Sequence, residues 1–250
     1  MKIPIAVQLY SVRDVASTDL LGTIARVAEM GYEGVEFAGY HGQSADAIRN
    51  ALATAGIKAP STHIALAAFD DEKFEATLDF HGTVGIRDLV IPWLPEAMHN
   101  SPESTLETAK MLSDLTARVV ERGFRLGFHA HGQDMVVLEG GKSSYSILGE
   151  NTPSDFIMQY DTANGMSAGA DPVQPILEFP GRGMSVHLKE WSGEHGALIG
   201  DGEVPWAKVF EACESTAGTE WYVVEHEAKG GEAAMDDIRQ CLANLRGMGK

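Results

Sequence analysis

The sequence predicts a single-domain α/β protein, a (β/α)8 TIM barrel occupying residues 1–250. Eight short apolar runs alternate with longer helical stretches, a pattern that favours a parallel sheet closed on itself. The length of 250 residues is the usual size of one such barrel. No linker or low-complexity segment divides the chain, so a single core is expected.

The strand predictions rest on apolar runs that are each followed by a helical stretch. Such runs are typical of strands in a parallel sheet, which are buried on both faces. The eight predicted strands, in chain order, are Ile3–Val12, Tyr32–Gly39, Ala59–Leu66, Arg87–Leu94, Phe124–Gly132, Phe156–Gly165, Gly183–Trp191 and Glu220–Ala228.

The helix predictions rest on apolar residues at helical spacing and on the signals at their ends. Gly31, Gly56 and Gly123 follow three of these stretches and suit helix C-caps. Pro205 suits the first turn of a later helix. The predicted helices are Thr18–Met30, Ser44–Ala55, Glu72–Val84, Pro102–Arg122, Ser143–Leu148, a short one after Pro172, Pro205–Thr216 and Glu232–Arg246.

An open, doubly wound sheet is the rival architecture. Proteins of that class commonly carry a glycine-rich phosphate-binding turn after the first strand. Here the chain reads SVRDVAST at that place. The closed barrel is therefore the preferred prediction.

Composition and charge limit the kinds of molecule that the protein is expected to bind. The formal net charge is -17, and no basic stripe interrupts the acidic surface, so nucleic-acid binding is not expected. No apolar run approaches the roughly 20 residues that span a bilayer, and the N-terminus resembles a strand rather than a signal peptide. A cytoplasmic location without membrane contact is expected. Cys213 and Cys241 are interpreted as small core residues.

Polar residues interrupt the predicted strands near their ends. In a barrel of this class the active site lies at the C-terminal ends of the strands, and side chains two apart share a face. His129 and His131 are two apart on the fifth strand. The other residues of this kind are Gln8, Tyr10, Glu36, His63, Gln159, Asp161, His187, Lys189, Glu225 and Glu227.

Charges gathered in a barrel interior need compensation, and a divalent cation would provide it. Mixed imidazole and carboxylate ligands suit Mn²⁺, Co²⁺, Fe²⁺, Ni²⁺ or Zn²⁺ better than Mg²⁺. The sequence therefore predicts one divalent metal. Bound there, it would polarise a substrate carbonyl and stabilise the enediolate formed by loss of a neighbouring proton.

Several of these residues admit a purely structural interpretation. Glu36 could be an ion-pair partner of Arg125 or Lys189, and Asp161 could cap the turn that follows it. Arg13, placed in the loop after the first strand, is interpreted first as forming a surface salt bridge with Asp14 or a neighbour and second as an anion or hydroxyl contact.

Two tryptophans are candidates for the wall of a sugar site. Trp93 lies at the end of the fourth predicted strand and Trp191 where the seventh ends, and packing and substrate contact are equally plausible roles for each. Gln8, Tyr10 and His63 on the earlier strands complete the predicted substrate-binding set. The glycine-rich stretch from Gly196 to Trp206 is interpreted as a loop over the mouth.

Taken in order, eight segments make the chain resemble the xylose isomerase-like TIM-barrel family of sugar phosphate isomerases/epimerases over essentially its whole length. No one segment is specific by itself, but their order and spacing are typical of the family. The segments are VQLYSVRD, MGYEGVEFAG, GFHAHG, QYDTANG, AGADPV, PGRGMSVHLKEW, IGDGEVPW and WYVVEHE.

The resemblance implies a metal held by Glu, Asp, His and Glu from strands five to eight. Asp161, His187 and Glu225 match the last three, whereas His129 stands at or near the first. Either His129 or His131 is then the strand-five ligand. This YHNH-like variant is similar to inosose dehydratases and to enzymes acting on 3-keto-sugars and glycosides.

The resulting expectation is a metal-dependent, most simply manganese-dependent, isomerase or epimerase of a ketose or keto-sugar. Glu225 would remove a proton, His131 or His129 would return one, and Lys189 and Glu36 would orient hydroxyls or hold charge. A lyase acting by β-elimination is the first alternative, and a non-catalytic sugar-binding barrel is the second. An apurinic endonuclease is disfavoured by the negative charge. A homo-oligomer is considered by analogy with other barrels.

Overall fold

In a computed structural model, the described part of the chain, residues 2–250, contains eight strands that follow one another in sequence. Every strand residue except the first of β5 and β8 and the last of β3 is buried. The strands are β1 (Ile5–Gln8), β2 (Gly34–Glu36), β3 (Ser61–His63), β4 (Asp88–Ile91), β5 (Arg125–His129), β6 (Ile157–Gln159), β7 (Ser185–Leu188) and β8 (Trp221–Val224).

Helices connect these strands and cover the outside of the sheet. The helices are α1 (Arg13–Thr18), α2 (Leu20–Met30), α3 (Ala45–Ala55), α4 (Asp71–Val84), α5 (Pro102–Glu121), α6 (Gly132–Met135), α7 (Ser144–Asn151), α8 (Thr162–Ser167), α9 (Gln174–Glu178), α10 (Trp206–Ala212) and α11 (Gly231–Gly247).

The strands are all parallel and form a ring in sequence order. Two four-stranded sheets, β2-β1-β8-β7 and β3-β4-β5-β6, are ladders of ordinary parallel pairs. Isolated parallel bridges join their edges, from Phe37 to Thr62 on one side and from Asp161 to His187 on the other. The predicted (β/α)8 TIM-barrel fold is confirmed.

Local sequence signals explain where the helices begin and end. Ser101 and Ser104 form a reciprocal capping box at the start of α5, and Pro102 occupies the first turn. Gly31, with φ of 98°, ends α2 in a left-handed conformation that a side chain would strain. Cys213 and Cys241 are both buried, as their interpretation as core residues predicted.

The first strand is shorter than predicted. It ends at Gln8, whose side chain accepts a hydrogen bond from the Tyr10 backbone N–H at 3.0 Å and so begins a 3-10 turn over Leu9–Val12. Arg13 then opens α1, so its placement in a loop was wrong.

Later connections also differ in detail. Pro205 is the N-cap of α10 rather than part of its first turn, and α10 runs into a π-helical turn over Cys213–Ala217. β5 stops at His129, so His131 lies beyond the strand as the N-cap of α6. The premise that both histidines sit on one strand face was therefore wrong.

None of the helices in residues 2–250 is both long enough and apolar enough to cross a membrane.

Candidate active site

The site is built from residues at the ends of strands, because all eight strands are parallel and finish at the same face. Five strands end on a polar side chain, and the other polar site residues lie within three positions of a strand end. The five terminal residues are Gln8, Glu36, His63, His129 and Gln159.

Glu36 is the centre of a buried hydrogen-bond network. Its Oε1 accepts from Gln8 Nε2 at 2.7 Å and lies 2.6 Å from His187 Nε2. Its Oε2 accepts from Gln159 Nε2 at 2.8 Å and from the Ser61 hydroxyl. Glu36 has no exposed surface. It therefore supports the site from below and does not reach the solvent.

Charge keeps Glu36 ionised despite its burial. Burial acts to raise the pKa of this carboxyl, but the neighbouring His63 and His187 outweigh it and lower the pKa to about 2. Burial likewise opposes the charge on His187, yet Glu36 and Glu225 raise its pKa to about 10. His187 is consequently an imidazolium that donates from Nε2 to Glu36 and from Nδ1 to Glu225 Oε2 at 2.9 Å. A metal ion held by Nδ1 would displace the proton of that nitrogen and leave the bond to Glu36 in place.

Four side chains converge as a candidate metal-ligand set. His129, Asp161, His187 and Glu225 each offer one ligand atom, and these atoms lie within 4.8 Å of one another. His129, Asp161 and His187 are 1% exposed or less, and Glu225 is 6% exposed. The four lie at or next to the ends of β5, β6, β7 and β8, which are consecutive in the ring, and this is why residues so distant in sequence meet.

Asp161 provides the test of whether this set fits a cation. Its Oδ1 caps α8 by accepting from the Asn164 backbone N–H at 2.7 Å, so the predicted capping role is present. Its Oδ2 is buried without a hydrogen-bond partner, 3.9 Å from His187 Nδ1. Burial raises the pKa of Asp161 to about 6, against the opposing effect of Lys189. An unpartnered buried carboxylate oxygen among three other potential ligands, two imidazoles and a carboxylate, fits a divalent cation.

His129 presents one nitrogen to the same set. Its Nδ1 lies 2.9 Å from Gln159 Oε1, an atom that can only accept, so Nδ1 donates and Nε2 keeps its lone pair. Burial lowers the pKa of His129 well below its ordinary value, which keeps the ring neutral. Histidine binds metals as a neutral imidazole whose other ring N–H is held by a hydrogen-bond acceptor. For His129 that acceptor is the side-chain amide oxygen of Gln159.

Lys189 compensates the carboxylates on the other side of the set. Its Nζ donates to Glu225 Oε1 at 2.9 Å and to Glu227. Burial opposes its charge, but the carboxylates of Glu225, Asp161 and Glu227 raise the pKa of Lys189 above its ordinary value. The amine is therefore a cation committed to two carboxylates.

A cavity of about 510 Å³ opens onto this cluster. Its lining combines exposed aromatic side chains with two of the four candidate ligands. The lining residues are Tyr10, Ala38, Gly39, His63, Ala65, Pro92, Trp93, His129, His131, Glu225 and Glu227. Most of the predicted site residues thus meet at one place.

Some predicted residues lie elsewhere in the arrangement. Gln8 is fully buried behind Glu36, and Trp191 does not line this cavity but packs its ring edge-on against His195 at 5.0 Å. Arg125 pairs with Asp88 and Glu220.

Neither proposed ion pair of Glu36 forms in the structure. Arg125 is engaged elsewhere, and Lys189 pairs with Glu225 and Glu227. Arg13 is not in a salt bridge with Asp14. Its guanidinium lies over the Tyr10 ring at 4.4 Å and donates to the Tyr10 carbonyl oxygen.

Two structural residues of the site were not predicted. Asn164 Nδ2 lies 3.5 Å from His129 Nε2 and donates to the Ala130 carbonyl oxygen. Its position three residues after Asp161, one helical turn away, could have revealed it. The buried Glu190 accepts hydrogen bonds from the backbone of the segment that follows it, and no local pattern marks that role.

One protein-family model matches the sequence over most of its length. A family model described as a xylose isomerase-like TIM barrel matches residues 24–246. No curated protein sequence matches the chain.

Solved structures share the fold over nearly the whole chain. A sugar phosphate isomerase/epimerase from Parabacteroides distasonis ATCC 8503 has a TM-score of 0.85 at 19% identity, with 98% of this chain and 94% of that chain covered. A D-allulose 3-epimerase from Methylomonas sp. has a TM-score of 0.71 at 14% identity, covering 98% and 97%. A probable 3-DHS dehydratase from Bacillus anthracis has a TM-score of 0.73 at 14% identity, covering 98% and 99%. At these identities the likeness is one of fold.

Proposed function

The chain belongs to the xylose isomerase-like TIM-barrel family, and on that premise we propose that it is a divalent-metal-dependent isomerase or epimerase of a ketose or keto-sugar. The observation that carries the proposal is the unpartnered, buried Oδ2 of Asp161 within the cluster of His129, His187 and Glu225. The named activities of the isomerase/epimerase and D-allulose 3-epimerase neighbours support the reaction class.

His129, Asp161, His187 and Glu225 would hold the cation, with Mn²⁺ the first choice among the metals that suit this ligand set. Once bound, a divalent cation supplies Lewis acidity toward a substrate carbonyl. Glu36 holds His187 from behind through Nε2, and Gln159 fixes His129 through Nδ1. The chain therefore orients both imidazoles before any ligand arrives.

Glu225 is the proposed base. It lines the cavity, and its Oε1 and Oε2 are held by Lys189 and His187, which lower its pKa well below the ordinary value against the effect of burial. The carboxylate is therefore ionised and ready to accept a proton from a carbon beside the carbonyl.

His131 is the proposed second acid/base. It lines the same cavity, its ring centroid lies 4.9 Å from that of His129, and its buried Nδ1 has no hydrogen-bond partner. Burial lowers its pKa, so the ring is neutral at neutral pH and can accept or relay a proton. To return a proton, His131 first takes one up from solvent, and Glu225 later releases to solvent the proton that it removed. Donation to the opposite face of the same carbon gives epimerisation, and donation to the neighbouring carbon gives isomerisation.

A lyase is the second candidate function, and His131 is the observation that favours it. The neutral imidazole of His131 can take up the proton removed from carbon and, as an imidazolium, donate it to a departing hydroxyl or alkoxyl group, whereas a carboxylate with a strongly lowered pKa rarely holds a proton to donate. The structural neighbour described as a probable 3-DHS dehydratase supports this second candidate. Release of water or alcohol from a keto-sugar would identify this outcome.

Metal content tests the proposal directly. We expect about one equivalent of Mn, Co, Fe, Ni or Zn in the purified protein and its loss in Asp161→Ala and His187→Ala, measured by elemental analysis. Asp114→Ala, which removes an exposed carboxylate on α5, is the control and should retain the metal. Failure to take up metal in excess Mn²⁺ or Co²⁺ would contradict the proposal.

Proton exchange tests the chemistry. The metal-loaded protein is incubated in deuterated water with ketoses, inososes and 3-keto-glycosides. Incorporation of deuterium at carbon, absent from His187→Ala, is expected and is read by NMR. A metal-loaded protein that exchanges no C–H proton in any of these classes would leave a binding role instead.

A further inference from the structure

The charges around the cavity oppose an anionic ligand. Glu225 and Glu227 line it, and its described lining contains no lysine or arginine. Lys189 is already shared between these two glutamates. Metal ligation requires neutral imidazoles, so a divalent cation and Lys189 would supply three positive charges against four negative ones on Glu36, Asp161, Glu225 and Glu227. A phosphate dianion would therefore enter a site that remains negative.

The backbone N–H groups at this face do not compensate for the absence of lysine and arginine from the described cavity lining. α6 and α8 both begin here, and helix N-termini are common phosphate sites. Each already carries its own carboxylate, because Asp134 accepts from the His131 backbone N–H at 2.8 Å and Asp161 accepts from that of Asn164. Arg13 lies at the rim of the cavity, because its guanidinium is stacked on the ring of Tyr10, a lining residue.

A second cavity of about 480 Å³ adjoins the first at Trp93, which lines both. It is formed by the segments that follow β4 and β5, so it opens at the same face. Its apolar lining includes Leu94, Val136 and Leu138, and its described lining also lacks lysine and arginine. Trp93 is 57% exposed and Val136 is 51% exposed. Exposed apolar surface that continues from a catalytic cavity is characteristic of a ligand-binding surface.

From these observations we propose that the substrate is an uncharged sugar bearing an apolar substituent, and not a sugar phosphate. The sugar ring occupies the catalytic cavity, and the substituent packs on Trp93 and extends into the second cavity. This inference rests on the proposed function, because it takes the cluster around Asp161 and Glu225 as the reacting end of the substrate. The fold likeness to a sugar phosphate isomerase/epimerase does not extend to its substrate.

Binding of three probes tests this substrate class. Phenyl β-D-glucopyranoside, methyl β-D-glucopyranoside and D-glucose 6-phosphate are titrated into the full chain in the presence of Mn²⁺ and followed by calorimetry. The phenyl glucoside should bind about tenfold more tightly than the methyl glucoside, as expected for one well-packed aromatic contact. D-glucose 6-phosphate should bind more weakly than the methyl glucoside.

Variants locate the effect. Trp93→Ala should bring the ratio of the two glycoside affinities close to one while the metal content stays unchanged. Val137→Ala is the matched control, since Val137 is 66% exposed and apolar but lines neither cavity. It should keep the tenfold ratio.

Three results would overturn the proposal. One is equal affinity for the two glycosides, including the absence of binding by either. Another is tighter binding of D-glucose 6-phosphate than of the methyl glucoside, lost in Arg13→Ala, which would make the rim a phosphate site. The third is a phenyl preference that survives Trp93→Ala. Metal content and deuterium exchange decide the proposed function separately, so the two failures are distinguishable.

Discussion

Glu225 carries two roles in the proposed chemistry, since it is both a candidate ligand and the candidate base. Glu225→Gln keeps the size of the side chain but removes its charge and its basicity. We expect the rate of C–H exchange to fall at least about 100-fold, the usual contribution of a positioned base. Exchange is measured by NMR beside metal content, and full metal with an unchanged rate would refute the assignment.

The matched control for this change is Glu227→Gln. Glu227 lines the same cavity and also contacts Lys189, but it is outside the four-residue ligand set. Its loss of rate should be much smaller than that of Glu225→Gln.

Lys189 stabilises the site before any metal is bound. Lys189 is 4% exposed and its amine pairs with Glu225 and Glu227, so Lys189→Met removes the cation that these two carboxylates share. We expect the free energy of unfolding of the metal-free protein to fall by about 3 kcal/mol, measured by urea denaturation. Lys208→Met, at an exposed position on α10, is the control and should change it little. A loss below about 1 kcal/mol for Lys189→Met would show that the carboxylates are compensated otherwise.

At the scale of elements, Glu190 organises the connection between β7 and α10. Its carboxylate accepts from the backbone N–H groups of Trp191, Gly200 and Val204 and from the indole N–H of Trp206. One buried side chain thereby fixes a segment that otherwise has little regular structure.

Glu190→Ala should loosen this connection, because four donors lose their acceptor. We expect a loss of about 3 kcal/mol in stability and faster amide hydrogen exchange at Gly200 and Val204. Glu194→Ala, an exposed carboxylate in the same segment, should leave both quantities unchanged. Unaltered exchange in Glu190→Ala would mean that packing alone holds the segment.

A second inter-element contact joins the segment after β4 to α6. His99 Nδ1 lies 2.9 Å from Asp134 Oδ1, and the interaction of the ring with this carboxylate raises the pKa of His99 against the effect of burial. A raised histidine pKa contributes stability that is complete below the unfolded value of about 6.5 and is lost as pH rises through the folded value.

His99→Gln should therefore cost more stability at pH 5.5 than at pH 9, by about 1 kcal/mol. Denaturation at the two pH values measures the difference, and His41→Gln at an exposed loop position is the control. An equal loss at both pH values would show that the His99 ring is not charged in the folded protein.

At the scale of the whole molecule, the net charge of -17 sets what the surface attracts. Because binding to a phosphate backbone depends on clustered cations, we expect no gel shift with DNA containing an abasic site, even at low salt. A shift at micromolar protein that weakens as salt is added would instead favour a nucleic-acid substrate.

The sequence by itself determined the fold and was enough to predict most residues of the candidate site. Alternating apolar and helical stretches require parallel strands, and parallel strands place their last residues at one face. Four residues could therefore be assigned to one candidate site from the sequence, namely Glu36, His129, His187 and Glu225. Local patterns also located helix ends such as Gly31 to within a residue or two.

Only the tertiary structure decided which side chains pair. Glu36 meets His187 across 151 positions of sequence, and no local pattern encodes that contact. The end of β5 at His129, which moves His131 to the start of α6, depends on ladder pairing with the neighbouring strands. Asp161 Oδ2 has no hydrogen-bond partner because the neighbouring donors are bonded to other acceptors. Periodicity is local, whereas contacts across the ring depend on the register of distant strands.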